Sequence, residues 1–286
     1  MGNDDQNLLG GLDSLGLGGL DSIDLFADNK VKVPQSHKRP EAPKKEEVKE
    51  EDLVFEKSYT CPACSKPFKS LTVRTGKVKA VSQDVDLRWK FKQLDPLKYD
   101  VVMCPNCGCA ALIGEFPRIT GKQAKLIKEK ISASFKSQDP PHGKLSYDEA
   151  LARYKVALAN AVVRGVKASE KAFICLKAGW LLRGKAESLT PGTPGYDEEK
   201  KKTEAEEDAF LKNALEGFKN ARGSESFPMC GMDEHSVDYL IAALSFRFGD
   251  YALAEKLISE ILVSRVASDR LKEKARDLHE DIRAAK

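Results

Sequence analysis

Cys61-Pro62-Ala63-Cys64 and Cys104-Pro105-Asn106-Cys107-Gly108 are the stretches that decide how this chain is read. Each sets two thiols on a tight turn, two residues apart, with a proline fixing φ at its start. That spacing lets both sulfurs of a turn reach one ion. Two such turns together supply the four thiolates that saturate a structural zinc site. Gly108 can take φ > 0, which brings backbone N–H groups toward the sulfurs; Ser65 stands at the equivalent place in the first turn. The 39 residues between the pairs exceed the ~15–20 of a compact arrangement, so small strands must fill the gap. The expectation is a zinc-ribbon-like module holding one structural Zn²⁺ on Cys61, Cys64, Cys104 and Cys107.

Two other chemistries fit less well. A thioredoxin-like dithiol needs a single CxxC opening a helix in a βαβ setting, and here two pairs lie among strand signals. A catalytic zinc keeps an open position and usually recruits His or carboxylate, yet no histidine lies between His37 and His142. Three cysteines remain. Cys109 adjoins the second pair and reads as packing, with substitution for Cys107 as the other option. Cys175 lies on an apolar helical stripe and reads as a small core residue. Cys230 stands five residues before His235, too few ligands for a second site.

Outward from the cysteines, the flanking segments alternate with period two, as half-buried strands do. Leu71 and Val73, then Val78 and Ala80, alternate around Gly76. Leu87, Trp89 and Phe91 alternate with Arg88, Lys90 and Lys92, and Val101–Met103 runs straight into Cys104. After about residue 120 the period becomes helical. Thr120 with Gln123 and Ser146 with Glu149 form capping boxes, the first opening a helix to about Phe135, the second a stripe of Leu151, Tyr154, Leu158 and Val162. Further helices are expected over about 168–184, around Leu211–Phe218, and over about 234–248, 251–266 and 269–284, with proline- and glycine-bearing loops between.

Within the helical part, Ala243 to Ala254 carries small, aromatic, glycine and alanine positions of a tetratricopeptide helix–turn–helix corner. Ala178 and Gly184 repeat Ala243 and Gly249 at a distance of 65 residues. Antiparallel helix pairs of this kind commonly bind protein.

Toward the N-terminus the composition changes. GGLDSLGL (10–17) recurs as GGLDSIDL (18–25), six of eight positions being identical, and the first 29 residues hold six acidic and no basic side chains. So many glycines disfavour a helix, and the segment reads as a disordered tail, with docking onto a partner groove as the sharper alternative. Pro34, Pro40 and Pro43 then punctuate a linker in which nine of the residues 41–52 are charged. The expected organisation is 1–52 disordered tail and linker, 53–117 zinc-ribbon-like module, and 118–286 helical tetratricopeptide-like domain: an α+β chain.

Composition narrows the class. Of 286 residues 41% are hydrophobic and 32% charged, enough for a core on the charged side of the globular range. There is no run of ~18 apolar residues for a membrane helix and no cationic n-region for secretion, so a cytoplasmic protein without membrane partners is expected. The net charge of +3 conceals a basic middle, where residues 53–144 carry 17 basic and 8 acidic side chains. Lys66, Lys69, Arg74, Lys77, Lys79, Arg88, Lys90 and Lys92 crowd it, and with Trp89, Phe91 or Tyr99 such a surface can bind single-stranded nucleic acid. No nucleophile motif or phosphate loop suggests an enzyme. Three functions follow: a zinc-binding adaptor that recognises a protein through its helices, a nucleic-acid binder using the basic module, and a thiol redox sensor that releases zinc on oxidation.

Tyr59-Thr60-Cys61-Pro62-Ala63-Cys64, Lys66-Pro67-Phe68, Val73-Arg74-Thr75, Asp95 to Val101, and Cys104-Pro105-Asn106-Cys107-Gly108-Cys109-Ala110-Ala111 together resemble a bacterial family of unknown function. That family joins a CPxC…CPxCG module to a tetratricopeptide-like tail, and the resemblance spans about 55–285. It implies metal binding through Cys61, Cys64, Cys104 and Cys107 and implies no enzymatic activity. The family usually has an aromatic residue where Cys109 stands.

Overall fold

Val101–Met103 (β5) and Ala110–Leu112 (β6) form an antiparallel hairpin in which every residue is buried. Its two faces meet different cores, because successive strand side chains point oppositely. Val101, Met103, Ala110 and Leu112 pack with the helices, whereas Val102 and Ala111 pack beside the cysteines. The Cys104–Cys107 turn closes this hairpin, so the second cysteine pair is anchored in the middle of the fold.

The computed structural model describes residues 49–140 and 143–285. The acidic repeat and all but the end of the linker lie outside the described residues. Glu50–Asp52, at that end, are not linker but join Leu53 in a 3-10 turn. The physical reason is Glu50, whose carboxylate pairs with Lys98 and accepts the Tyr99 hydroxyl at 2.8 Å. Two further antiparallel pairs precede the β5–β6 hairpin: Val54–Thr60 (β1) with Pro67–Val73 (β2), and Ala80–Gln83 (β3) with Trp89–Phe91 (β4). The alternation around Gly76 therefore belongs to two different sheets.

Helices follow in the expected order: Gly121–Ile127 (α1), Tyr147–Arg164 (α2), Ala168–Ser188 (α3), Tyr196–Arg222 (α4), Glu234–Arg247 (α5), Tyr251–Val263 (α6) and Asp269–Ala284 (α7). Both capping boxes form, with Thr120 on α1 and Ser146 on α2. α1 is shorter than the sequence suggests and continues as a π-helical turn over Lys128–Ser132. α2 buries Ala150, Leu151, Tyr154, Ala157 and Ala161, while Val162, expected on the stripe, is 61% exposed. Small alanines face the core because the β5–β6 hairpin packs close against this helix.

α3 lies in the interior. Ala172, Cys175 and Leu176 face the core built with α4–α7, and Ile174, Ala178 and Leu181 face the core built with α2 and β5–β6. At Gly184 the sequence suggests an inter-helix turn. Instead the glycine lies within α3, where a Cβ would sit 2.5 Å from a carboxylate oxygen of Asp95. Close approach, not turning, requires glycine there. The corresponding Gly249 does turn, at φ +82 between α5 and α6. The described residues form one compact unit, and no described helix is long and apolar enough to cross a membrane.

At the β3–β4 hairpin the buried residue is the charged one. Arg88 is 4% exposed and Trp89 is 42% exposed. Arg88 turns in to pair with Glu187 of α3 and Asp84. Beside it, Arg183 of α3 bonds Asp86 at 2.7 Å, Asp84 at 3.1 Å and Glu207 of α4 at 2.8 Å, and Arg247 of α5 also reaches Glu207, at 2.9 Å. This ion network clasps the hairpin to three helices. Removing Arg183 leaves the buried Asp86 carboxylate without a cation and Glu207 with Arg247 alone, so Arg183→Met is expected to lower unfolding free energy by about 3–5 kcal/mol. Urea unfolding followed by tryptophan fluorescence measures this, and an unchanged midpoint would refute the clasp.

Candidate metal centre

The two cysteine turns share one backbone design. In the first, between β1 and β2, Ser65 N–H donates to Cys61 O at 2.9 Å and Cys61 N–H to Lys66 O at 3.0 Å. In the second, between β5 and β6, Gly108 N–H donates to Cys104 O at 3.0 Å and Cys104 N–H to Cys109 O at 2.9 Å. Ser65 and Gly108 both take left-handed conformations, φ 59 and φ 71. Gly108 thus behaves as the sequence suggests, and Ser65 adopts the same geometry despite its Cβ.

The turns bring Cys61, Cys64, Cys104 and Cys107 together, all four sulfurs lying within 4.8 Å of one another. Cys61 Sγ is 3.5 Å from Cys107 Sγ, and Cys64 Sγ is 3.7 Å from Cys104 Sγ. A tetrahedral ion with sulfur bonds of about 2.3 Å sets sulfurs about 3.8 Å apart, so the spacing fits one metal ion. All seven cysteines are free thiols.

The electrostatics point the same way. Hydrogen bonds from Cys107 and then Cys61 hold Cys104 far below the usual thiol range. The same contacts with Cys104 push Cys61 and Cys107 up, since a second and third thiolate would face the first at close range. Left to themselves Cys61, Cys104 and Cys107 favour one thiolate, at Cys104, beside two protonated neighbours. A bound divalent cation is what would let all four ionise together.

The surroundings fix the turns. Asn160 of α2, fully buried, donates to Gly108 O at 2.9 Å and to Val156 O at 2.8 Å. Pro105 O accepts Gln138 N–H at 3.0 Å and Ser137 Oγ–H at 3.3 Å. Tyr59 and Phe68, directly opposite each other on β1 and β2, pack with Phe116 at ring separations of 5.7–5.9 Å. The sequence reading missed Asn160 and this aromatic shell. The available signal was a lone amide among the small residues Ala157 and Ala161 of an amphipathic helix.

The other three cysteines are not part of the four-sulfur set. Cys109 is fully buried and touches Cys61, adding to the upward push on that thiol. Cys175 is pushed up to about 11 by burial, as a core thiol should be. Cys230 is pushed up to about 12, chiefly by burial, and donates to Ser169 O at 3.4 Å. Among the described residues no cluster of candidate ligands forms around Cys230 and His235.

A family described as "Uncharacterized protein conserved in bacteria (DUF2225)" matches residues 54–282. The chain belongs to that family. The matched DUF2225 span contains all four clustered cysteines and omits the acidic repeat. No curated protein and no solved structure matches the chain.

The basic surface is less free than the sequence implies. Lys69 pairs with Glu56 at 2.8 Å, and Lys90 pairs with Glu187 at 2.7 Å and Asp84 at 3.2 Å, while Arg88 is buried. Arg270 of α7 lies over the Trp89 ring at 5.2 Å.

The two turns respond differently to substitution. At Gly108 a Cβ would lie 2.4 Å from the Phe135 ring, on a backbone L-residues disfavour. Gly108→Ala is expected to cost about 2–4 kcal/mol, combining left-handed strain and overpacking. Ser65→Gly relieves strain and should change stability by under about 1 kcal/mol. Denaturant unfolding of both variants checks this, and equal losses would contradict it.

Proposed function

We propose that this chain is a non-enzymatic adaptor in which one structural Zn²⁺, held by Cys61, Cys64, Cys104 and Cys107 in a zinc-ribbon-like module, stiffens a helical surface that recognises a protein partner. The convergence of the four thiols carries the reading. Zinc is favoured because four soft thiolates and a tetrahedral spacing suit it, and a saturated sulfur set leaves no open position for substrate. A structural zinc of this kind supplies ~10–16 kcal/mol of apparent binding free energy, which would lock both strand pairs to the helices behind them.

The adaptor half rests on the helical array. α2 to α7 follow one another through connections of three to eleven residues, the longest over 223–233, and consecutive helices share cores. The α5–Gly249–α6 corner is the part that supports a tetratricopeptide-like description, with Asp250 capping α6. The pairing of Lys69, Arg88 and Lys90 with carboxylates weighs against nucleic acid as the main partner.

Elemental analysis of the purified full chain should find about one zinc per chain, and the Cys61→Ser, Cys104→Ser double variant should lose it. Unchanged metal content in that variant would overturn the metal assignment. Affinity capture with the full chain should recover a stoichiometric protein partner; recovery of the bare chain under all growth conditions would remove the adaptor role while leaving the metal centre standing.

A further inference from the structure

A cavity of about 640 Å³ opens between the segment after β6, the α2–α3 junction and the 225–231 loop, on residues the metal centre does not use. Four cations and four carboxylates line it, and most are already engaged. Arg118 bonds Glu115 at 2.9 Å, and Lys177 pairs with Asp100. Glu225 uses both oxygens on Ser169, accepting its N–H and its hydroxyl.

Arg164 is not among them. This last residue of α2 is 8% exposed, and its Nε has no hydrogen-bond partner. Among the described residues it forms no ion pair either; Glu170, Cys109 and Glu115 act on it only at a distance. A guanidinium cannot shed its charge, and a buried charge lacking a partner costs several kcal/mol. Lys167, exposed and without an ion-pair partner among the described residues, adds a second positive charge. Glu170 faces them from α3, its carboxyl pushed up by burial and then by the Glu115 charge. Phe173, Ile174 and Met229 supply an apolar floor beside the charges.

We infer that this cavity binds a small organic anion, its carboxylate or phosphate group seated on Arg164 and Lys167 and its apolar body on Phe173 and Ile174. Planar bidentate pairing is what a guanidinium offers an oxyanion. The site is separate from the four-thiol cluster, so it stands or falls independently of the metal assignment.

Isothermal titration calorimetry on the full chain tests this with phenyl phosphate, 3-phenylpropionate, inorganic phosphate and benzyl alcohol. At least one aromatic anion should bind, and the tighter of the two identifies phosphate or carboxylate as the headgroup. Arg164→Gln should weaken that binding ~10-fold or more, and Lys167→Glu, at an exposed position that folding tolerates, about fivefold or more. No binding by either aromatic anion, benzyl alcohol binding as tightly as the anions, or unchanged affinity in Lys167→Glu would overturn the inference, the last serving even if Arg164→Gln fails to fold.

Discussion

Four sulfurs within 4.8 Å of one another are the constraint around which the strand-bearing half is built. Thiols that close resist ionising together, because each new thiolate meets the charge of the first. The turns nevertheless hold them there, through matched backbone hydrogen bonds and two left-handed residues. An arrangement so costly for thiolates alone makes sense as a cation site, with the ion's charge offsetting what the geometry imposes.

The site is tied to the helices by a short route. The β5–β6 hairpin carries the second turn at its tip and presents one face to each core. Asn160 joins α2 to Gly108, and Tyr154 of the same helix donates its hydroxyl to Leu97 O at 3.0 Å. On the other side the β3–β4 hairpin is clasped to α3, α4 and α5 by Arg183, Glu207 and Arg247. Order at the cysteines and order in the helical array are therefore mechanically linked.

Much of this was legible in the sequence, and the reasons are local. The CPxC spacing named the four clustered thiols, the capping boxes named the starts of α1 and α2, and the helical period placed α3, α5, α6 and α7. What escaped depended on tertiary choice. Alternation groups Arg88 apart from Trp89 but does not say which side is buried; ion pairing with Glu187 and Asp84 decided for Arg88. Glycine at 184 and alanines at 157 and 161 signal close approach, and only the packed neighbours Asp95 and the β5–β6 hairpin show to what. The buried, unpaired guanidinium of Arg164 is invisible until the residues around it are in place.

Cobalt(II) substitution probes the central claim most directly. Added to the metal-stripped full chain, one equivalent of cobalt should produce the intense ligand-field and charge-transfer bands of a tetrahedral tetrathiolate ion, displaced by one equivalent of zinc. Weak octahedral absorption, or a tetrathiolate spectrum that persists in the Cys61→Ser, Cys104→Ser variant, would contradict a single centre built from Cys61, Cys64, Cys104 and Cys107.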